Sequence, residues 1–197
     1  NGVSCVFHIH EIPTGNKLYE FLSGKIINWY SSKVLTVSNS VEKHWLKYID
    51  DKKIERIYNG IIFSKTDSLI KLERDEDDFV ITSVARLIPY KGHNYLIDIA
   101  NILIKKSTKF KFLIVGDTLP SYKTQKKIVK QKVNDLGLED QIKFLGFRKD
   151  ISNILKQSDL FIHPAISPDP LPTVLFESLH NGLPSVATNL GGAIEIL

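Results

Sequence analysis

The residues with the clearest chemical potential are two carboxylates close to the C-terminal end of the chain. Asp169 and Glu177 are eight positions apart, the first in a Pro-rich loop and the second in a predicted helix. Proline fits just before a helix or in its first turn, so the helix is expected to begin near Thr173 and Val174. Free backbone N–H groups at a helix N-terminus attract phosphate, and carboxylates accept hydrogen bonds from hydroxyl groups. The segment therefore predicts a phosphate cradle together with two acceptors for sugar hydroxyls.

Two cations form a second candidate group in the middle of the chain. The apolar run FVITSV predicts a buried strand, and it is followed by Arg86 and, five residues later, by Lys91 at the start of a predicted helix. Ligands bind at the carboxyl ends of strands in open parallel sheets. Arginine can bind two phosphate oxygens at once, whereas lysine acts as a point charge. The pair predicts a diphosphate site, and the alternative is that both are ordinary surface cations.

The elements that must position these residues alternate between strand and helix, which predicts an α/β fold with parallel sheets. Strands are predicted at 3–9, 33–37, 54–58, 79–84, 110–116, 141–146, 159–164 and 185–188, and helices at 16–31, 41–49 with Ser40 as N-cap, 92–106, 123–137, 151–157 and 173–181. The later series is expected to form a Rossmann-like, doubly wound sheet, and the helix at 92–106 is expected to turn Leu96, Ile99, Ala100 and Leu103 inward on one face. Residues 1–62 are expected to be the end of a first domain, 63–78 a connector and 79–197 a nearly complete second domain.

The C-terminal segment resembles the acidic-x7-acidic motif of the family-4 retaining glycosyltransferases, also called glycosyl transferase group 1, which have the GT-B fold. Asp169 and Glu177 are the two acids, and Gly182-Leu183-Pro184 and Gly191-Gly192…Glu195 match the flanking elements. The chain departs from the usual pattern by having Asp at the first position and Pro172-Thr173 in place of the turn glycine. Because a complete enzyme of this family has two whole domains, the resemblance implies a fragment.

The resemblance also implies roles for residues of this sequence. Arg86 and Lys91 match the family's R-(x)n-KG element, which holds the nucleotide diphosphate, and Asp169 and Glu177 would hold the donor sugar and the ribose. Gly116, and Gly146-Phe147 with Arg148, match turns near the nucleotide. His10 matches a hydrophobic-His-acid element whose His faces the donor sugar. The implied reaction is sugar transfer from a nucleotide-diphosphate sugar with retention, without a cofactor or metal, to an unidentified glycan, lipid or other acceptor, as in polysaccharide biosynthesis.

Several of these residues have other interpretations. His8 and His10 with Glu11 (HIHE) could bind zinc, or His10 could be a core histidine. Ser38-Asn39-Ser40 and Asn59-Gly60 match family elements but also suit helix capping and a turn. Asp75-Glu76-Asp77 spells a D-x-D metal motif, but it lies in a charged connector, which favours a solvated segment. A non-catalytic nucleotide-binding module and a GT-B-type sugar-nucleotide epimerase are alternative functions.

Composition and charge set further limits. The chain has 197 residues, a net charge of +4 and one Cys, and it has no apolar run long enough to span a membrane, which favours a cytoplasmic protein. Residues 123–132 (KTQKKIVKQK) predict a basic helix with Ile128, Val129 and Val133 inward. A solvated face is the simplest interpretation, and peripheral contact at the inner face of a membrane is the alternative. Nucleic-acid binding is not expected, because no aromatic residues lie among the lysines.

Overall fold

Three parallel strands and two helices make up the beginning of the chain. The computed structural model describes residues 3–13, 15–63 and 71–197. The first elements are β1 (Val6–Ile9), α1 (Lys17–Tyr30), β2 (Lys33–Thr36), α2 (Asn39–Trp45) and β3 (Ile54–Arg56). Their sheet has the order β1-β2-β3 and is parallel throughout. Contacts group these elements with residues 168–172 and 189–197 into one compact unit, the first unit.

Capping residues explain where the two helices of the first unit begin. The Asn16 side chain accepts hydrogen bonds from the backbone N–H groups of Leu18 and Tyr19, so α1 begins where the sequence predicted. The predicted start of α2 was wrong by two residues. Ser38, and not Ser40, is the N-cap, because its Oγ accepts a hydrogen bond from the Val41 N–H.

Helix α1 combines a close contact on one side with many exposed apolar residues elsewhere. Gly24 is buried against Tyr48, and a Cβ added at Gly24 would lie 2.4 Å from the Tyr48 Cβ, so a glycine allows this approach. The exposed apolar residues of α1 are Leu18, Tyr19, Phe21, Leu22, Ile26, Trp29 and Tyr30. None of the helices within the described residues has the length and apolar character that a membrane crossing requires.

The second unit comprises residues 62–167 and 173–188 and contains a five-stranded sheet. Its elements are β4 (Phe79–Val84), α3 (His93–Lys106), β5 (Phe110–Val115), α4 (Lys123–Asp135), β6 (Ile142–Gly146), α5 (Ile151–Lys156), β7 (Leu160–His163), α6 (Thr173–His180) and β8 (Ser185–Ala187), with short 3₁₀ helices at Pro89–Lys91 and Pro120–Tyr122. All strand pairs are parallel and the order is β6-β5-β4-β7-β8. The predicted α/β fold with a doubly wound parallel sheet is confirmed.

Side chains that alternate along the central strands build a core on each face of this sheet. Ile81, Phe112 and Ile114 pack with residues of α3 and α4, whereas Val80, Leu113 and Val115 pack with Ile154 of α5. The predicted inward faces of two helices need correction. Ile97 and Ile104 of α3 are buried while Ile99 is exposed, and Ile128 of α4 is also exposed.

The described part of the segment before β4 contacts other residues of the second unit. Residues 64–70 of the predicted connector lie outside the described residues. After them, the Arg74 guanidinium donates hydrogen bonds to the carbonyls of Gln157 and Asp78 and pairs with Asp159 at 3.2 Å. Asp77, in the D-x-D sequence, forms an ion pair with Lys109 at 2.7 Å. The division into domains at 62 and 79 stays a prediction, since the compact units follow contacts and not chain order.

Candidate functional site

The order of the strands in the second unit creates a switch point beside β4. Strand β4 pairs with β5, the next strand along the chain, on one side and with β7 on the other. The connections that leave β4 and β7 therefore diverge at the carboxyl edge, which is where open α/β sheets bind ligands. Two contacts join these connections: the Ile166 N–H donates a hydrogen bond to the Tyr90 carbonyl at 2.9 Å, and Gly92 packs against Pro164.

The loop after β4 carries Arg86 and Lys91, and its backbone is held in place by buried neighbours and a hydrogen bond. Leu87 and Ile88 are buried, and the Leu87 N–H donates a hydrogen bond to the Asp117 carbonyl at 3.0 Å. The Arg86 side chain is exposed and Lys91 is partly buried, immediately before α3. The structure therefore presents both cations on one short, anchored loop at the carboxyl edge, where the sequence predicted them, and the diphosphate site stays a prediction.

Glycines permit unusually close packing around this loop. Gly92 has φ +76°, and a Cβ there would lie 1.7 Å from the Pro164 carbonyl oxygen. Gly116 has φ +128°, and a Cβ there would lie 2.1 Å from the Ala85 carbonyl oxygen. The Gly116 N–H donates a hydrogen bond to the Gly146 carbonyl at 2.8 Å. Gly116 thus lies between the ends of β4 and β6, where no side chain fits, and its backbone borders the loop of Arg86.

Asp117, next to Gly116, has a partner that the sequence did not suggest. Its Oδ1 accepts hydrogen bonds from the Lys126 Nζ and from the Thr118 N–H, each at 2.7 Å. These hydrogen bonds, with the Lys126 side chain as the largest cause, lower the pKa of the Asp117 carboxyl. The ion pair ties the first turn of α4 to the end of β5.

Phe147 and Arg148 follow β6 and differ sharply in their surroundings. The Phe147 ring is 73% exposed, so a flat surface is available there for stacking. The Arg148 guanidinium donates two hydrogen bonds to the buried Asp150 carboxylate, at 2.8 Å and 2.6 Å. This hydrogen bonding raises the pKa of Arg148. Since two of its five donors are engaged, any further ligand must use the remaining ones.

Helix α6 brings Thr173, Val174 and Glu177 to the second unit. The helix follows β7 and precedes the parallel strand β8, so its N-terminus lies at the carboxyl edge of the sheet. Thr173 is exposed and Val174 partly buried in its first turn. Desolvation raises the pKa of the half-buried Glu177 carboxyl. The helix ends as predicted, with Gly182 at φ +70° and the Leu183 N–H bonded to the Ser178 carbonyl.

His93, the first residue of α3, is a buried histidine close to Lys91 that the sequence did not reveal. The side chain is 1% exposed, and neither ring nitrogen has a hydrogen-bond partner in the described part of the chain. Burial, with smaller contributions from the charges of Lys91 and His163, lowers its pKa to about 4. The imidazole is therefore neutral at physiological pH and adds no charge beside Lys91. A histidine next to a glycine gives no sequence signal of burial.

Asp169 belongs to the first unit, where its backbone contacts the 3₁₀ helix Gly191–Glu195. The Gly192 N–H donates a hydrogen bond to the Asp169 carbonyl at 2.7 Å. Cβ atoms added at Gly191 and Gly192 would lie 2.3 Å from the Asp169 carbonyl oxygen and 2.2 Å from that of Pro170. We call residues 168–172 the Asp169 loop and residues 191–195 the Gly-Gly turn. The glycines are required because the two backbones touch.

His10 lies just after β1 and contacts His8, the other histidine of the HIHE sequence. The His10 Nε2 and His8 Nδ1 atoms are 3.2 Å apart, and both residues are exposed. Partial desolvation and the nearby His10 lower the pKa of His8. The Trp45 Nε1–H donates a hydrogen bond to the Glu11 carbonyl at 3.1 Å, which fixes the adjoining backbone. No three His, Cys, Asp or Glu side chains of residues 3–13, 15–63 and 71–197 are grouped as a metal site would require.

Glu195 was part of the sequence match but had no predicted role, and the structure gives it three partners. Its carboxylate accepts hydrogen bonds from the N–H groups of Asn39 and Ser40, at 2.8 Å and 3.1 Å, and from the Tyr58 hydroxyl at 2.9 Å. Ser38-Asn39-Ser40 thus begins a capped helix. No local sequence signal could have identified a partner 156 residues away.

Lysines of the basic helix α4 make contacts within the second unit. Lys126 pairs with Asp117, Lys132 pairs with Asp98 at 2.6 Å, and the Lys130 Nζ lies 5.6 Å from the centre of the Phe144 ring. These contacts favour the interpretation of α4 as an ordinary solvated helix.

Comparisons with known proteins agree with this arrangement. A family model described as "Glycosyl transferases group 1" matches residues 64–197. A UDP-Gal:alpha-D-GlcNAc-diphosphoundecaprenol alpha-1,3-galactosyltransferase of Escherichia coli is 31% identical, over 97% of this chain and 53% of its own length. An uncharacterized glycosyltransferase of Haemophilus influenzae is 27% identical, over 93% of this chain and 49% of its own length.

The solved structures give the same result for the fold. HepE of Anabaena, crystallised with UDP and glucose, matches 98% of this chain and 55% of its own with a TM-score of 0.86 and 27% identity. WaaG, a glycosyltransferase involved in lipopolysaccharide biosynthesis, matches 97% of this chain and 58% of its own with a TM-score of 0.73; at 18% identity this shows the fold alone. The GT-B prediction is confirmed, and the chain spans about half the length of these proteins.

Proposed function

The chain belongs to the group 1 glycosyl transferases, and from that premise we propose that it is the part of an enzyme that binds a nucleotide-diphosphate sugar and transfers the sugar to an acceptor. The donor-binding role falls to the second unit. Its loops after β4, β5 and β6 and the start of α6 follow the carboxyl edge of one sheet.

One observation carries the proposal: Arg86 and Lys91 share an anchored loop at the switch point beside β4. The loop is fixed by the buried Leu87 and by backbone contacts with the connection after β7. A diphosphate needs fixed positive charge from groups that do not reorganise during the reaction. Two cations on a rigid backbone meet that requirement better than two mobile surface side chains.

The proposed chemistry is departure of the nucleoside diphosphate from the anomeric carbon. As this bond breaks, negative charge grows on the leaving phosphate, and the Arg86 guanidinium, the Lys91 ammonium and the α6 N-terminus near Thr173 and Val174 stabilise it. We propose that transfer proceeds with retention, as in the family that the sequence resembles, and that the leaving phosphate takes the proton of the acceptor hydroxyl.

The remaining site residues would fix the rest of the donor. The half-buried Glu177 carboxylate accepts hydrogen bonds from the neutral ribose hydroxyls, and the Gly116 backbone and exposed Phe147 ring border the base. Arg148, which donates hydrogen bonds to Asp150, would hold the turn that carries Phe147 in place. Asp169 accepts hydrogen bonds from the donor sugar, and His10 orients the sugar or the acceptor.

We propose that this chemistry needs no divalent metal, because two side-chain cations offset the charge of the diphosphate. Turnover of the full-length enzyme should therefore persist in EDTA. If turnover is lost in EDTA and restored by manganese, metal independence is refuted. The proposed donor-binding site would still stand, because it does not depend on that proposal.

Uridine diphosphate is the proposed nucleotide, since the E. coli relative is named for UDP-Gal and the HepE crystals contain UDP. A lipid-linked glycan is the proposed acceptor class, following the name of the same relative. Peripheral contact with an anionic membrane is part of this proposal. Co-sedimentation of the chain with anionic vesicles, but not with neutral ones, would support it.

Calorimetric titration of the chain with UDP tests the donor site directly. Arg86→Ala and Lys91→Ala should each weaken binding by roughly ten- to a hundredfold, since each removes a charge-assisted contact of about 1.5–3 kcal/mol. Lys105→Ala, an exposed lysine at the other end of α3, is the matched control and should bind UDP like the unaltered chain. Unchanged affinity in both site variants would refute the diphosphate assignment.

A further inference from the structure

The Glu195 carboxylate completes the cap of α2. Backbone N–H groups in the first turn of a helix have no partner within the helix. In α2, the Asn39 and Ser40 N–H groups donate to Glu195, and the Val41 N–H donates to the Ser38 side chain. The N–H groups of Asn39, Ser40 and Val41 are thus satisfied, two of them by a residue distant in sequence. The negative carboxylate also suits the positive end of the helix.

A second group of contacts holds the same carboxylate from β3 and the residues after it. The Tyr58 hydroxyl donates to Glu195 at 2.9 Å, and this hydrogen bond is the main cause that raises the pKa of Tyr58. The Arg56 guanidinium lies 5.2 Å from the centre of the Tyr58 ring, and it pairs with Glu42 at 3.6 Å and bonds to Asn39. Both Glu195 oxygens are therefore held in one orientation by elements of the first unit.

The Gly-Gly turn connects this carboxylate to the Asp169 loop over a very short distance along the chain. Gly192, which donates to the Asp169 carbonyl, is three residues before Glu195 in the same 3₁₀ helix. One helical turn therefore separates the contact with the loop from the contact with α2. A shift of Glu195 must move Gly192, and the close approach of Gly191 and Gly192 to the loop leaves little room for independent movement.

We propose that Glu195 is a positioning residue that holds the Asp169 loop, through the Gly-Gly turn, in the geometry required for contact with the donor sugar. The inference rests on the proposed function, because it takes Asp169 to be the sugar acceptor group. It assigns a role to the last acid of the chain, which does not itself touch the substrate. It also separates sugar recognition from diphosphate binding, since Arg86 and Lys91 are held by contacts of the second unit.

The test compares UDP with UDP-glucose and UDP-galactose in calorimetric titrations of the chain. The unaltered chain should bind at least one of the two sugar nucleotides more tightly than UDP. Glu195→Gln retains the size of the side chain but turns an amide N–H₂ group towards the N–H donors, so it should reduce this preference several-fold. Its affinity for UDP alone should stay within about twofold of the unaltered value. Asp169→Asn should reduce the preference in the same way.

A double variant distinguishes positioning from an independent structural effect. If Glu195 acts through Asp169, then Glu195→Gln should have little further effect on sugar preference in the presence of Asp169→Asn, and the two effects will not add. Additive effects would overturn the positioning role. If Asp169→Asn preserves the sugar preference, or if the unaltered chain has none, the role proposed for Asp169 fails and the role of Glu195 fails with it. UDP affinity that still depends on Arg86 and Lys91 would show that the donor site itself survives.

Tyr58 supplies a check on the contact that does not depend on ligand. The Tyr58 pKa, measured by NMR on ¹³C-labelled tyrosine, should fall in Glu195→Gln because the acceptor that raises it is gone. Tyr58→Phe retains the carboxylate cap and loses one hydrogen bond, so it should reduce sugar preference less than Glu195→Gln does. If the Glu195→Gln protein does not fold, Tyr58→Phe is combined with Asp169→Asn in its place. An unchanged Tyr58 pKa, or a Tyr58→Phe effect that adds fully to Asp169→Asn, would refute the proposal.

Discussion

Glu177 illustrates, at the scale of a single residue, how a group proposed to bind the ribose can reduce stability. Burial raises the pKa of its carboxyl, which means that the folded chain favours the neutral form. At neutral pH the ionised side chain is thus a cost to folding. Glu177→Gln removes the charge, so the variant should have a higher melting temperature and a weaker affinity for UDP than the unaltered chain.

Thermal unfolding and UDP titration of the same samples check this prediction. Glu139→Gln, at an exposed position outside the site, is the control and should change neither quantity. A lower melting temperature for Glu177→Gln would indicate that the carboxylate makes stabilising contacts in the free protein, contrary to the cause of its raised pKa.

His93 predicts a dependence of stability on pH. Its folded pKa of about 4 lies below the unfolded value of 6.5, so the unfolded chain binds a proton first as the pH falls. Stability from this group is present above pH 6.5 and is lost as the pH falls towards 4. The loss should reach roughly 3 kcal/mol by pH 4. Electrostatic interactions with Lys91 and His163 lower the pKa of His93 in the same direction as burial.

Urea unfolding between pH 7 and pH 4 measures this loss. His93→Gln removes the titrating group, so the slope of stability against pH should be smaller in the variant, whatever its absolute stability. The same slope in both proteins would contradict the assignment.

Single residues could be selected from the sequence where their role depends on local chain geometry. Arg86 and Lys91 follow a strand and precede a helix, and that local context placed them correctly at the carboxyl edge. The roles of Arg148, His93 and Glu195 depend on partners or burial that only the folded chain defines. The Asp150 carboxylate accepts hydrogen bonds from the Arg148 guanidinium, and the Glu195 carboxylate accepts one from Asn39, which lies in another helix. No spacing rule contains that information.

At the scale of elements, Gly92 fixes how closely α3 can approach the end of β7. It has φ +76°, and a Cβ would overlap the Pro164 carbonyl oxygen at 1.7 Å. Gly137, after α4, has a similar φ of +64° but no atom within 4 Å of its Cβ position. Gly137→Ala should thus lower the free energy of unfolding by roughly 1–2 kcal/mol, which is the penalty for a side chain in the left-handed conformation. Gly92→Ala should lower the free energy of unfolding by several kcal/mol, because the loop that carries Lys91 must also move.

Chemical denaturation of both variants, together with UDP titration, tests this comparison. Gly92→Ala should bind UDP more weakly than Gly137→Ala even at temperatures where both are folded. Equal losses of stability in the two variants would mean that α3 can shift away from β7 without cost.

Element positions were largely predictable because the apolar pattern of each strand and helix is strong. The strand Phe79–Val84 has the predicted bounds, and the other predicted strands and helices are present with shifts of a few residues. The start of α2 was missed because Ser38 and Ser40 are both good caps, and only the hydrogen bond to Val41 decides between them. The inward face of α3 was missed because its apolar residues occupy more than one face, and contact with the sheet selects Ile97 over Ile99.

At the scale of the whole molecule, the exposed apolar residues of α1 predict self-association of this chain. Contiguous apolar surface favours contact between copies in water, and Trp29 is 83% exposed. The apparent mass by light scattering should rise with concentration. Trp29→Gln combined with Leu22→Gln should reduce that rise, whereas Ile102→Gln on α3 should not. A constant monomer mass at all concentrations would contradict this prediction.

The first unit is assembled from three separate stretches of sequence, and this has a consequence for the order of folding. Contact between Asn39 and Glu195 closes a loop of 156 residues, whereas Cys5 and Ser32, next to β1 and β2, are joined across 27. The longer closure costs roughly 1.5 kcal/mol more chain entropy. During synthesis, β1, β2 and β3 leave the ribosome long before the Asp169 loop and the Gly-Gly turn. All of the second unit, which ends at residue 188, has been synthesised before the Gly-Gly turn, so the first unit gains its last contacts only when translation has passed Glu195.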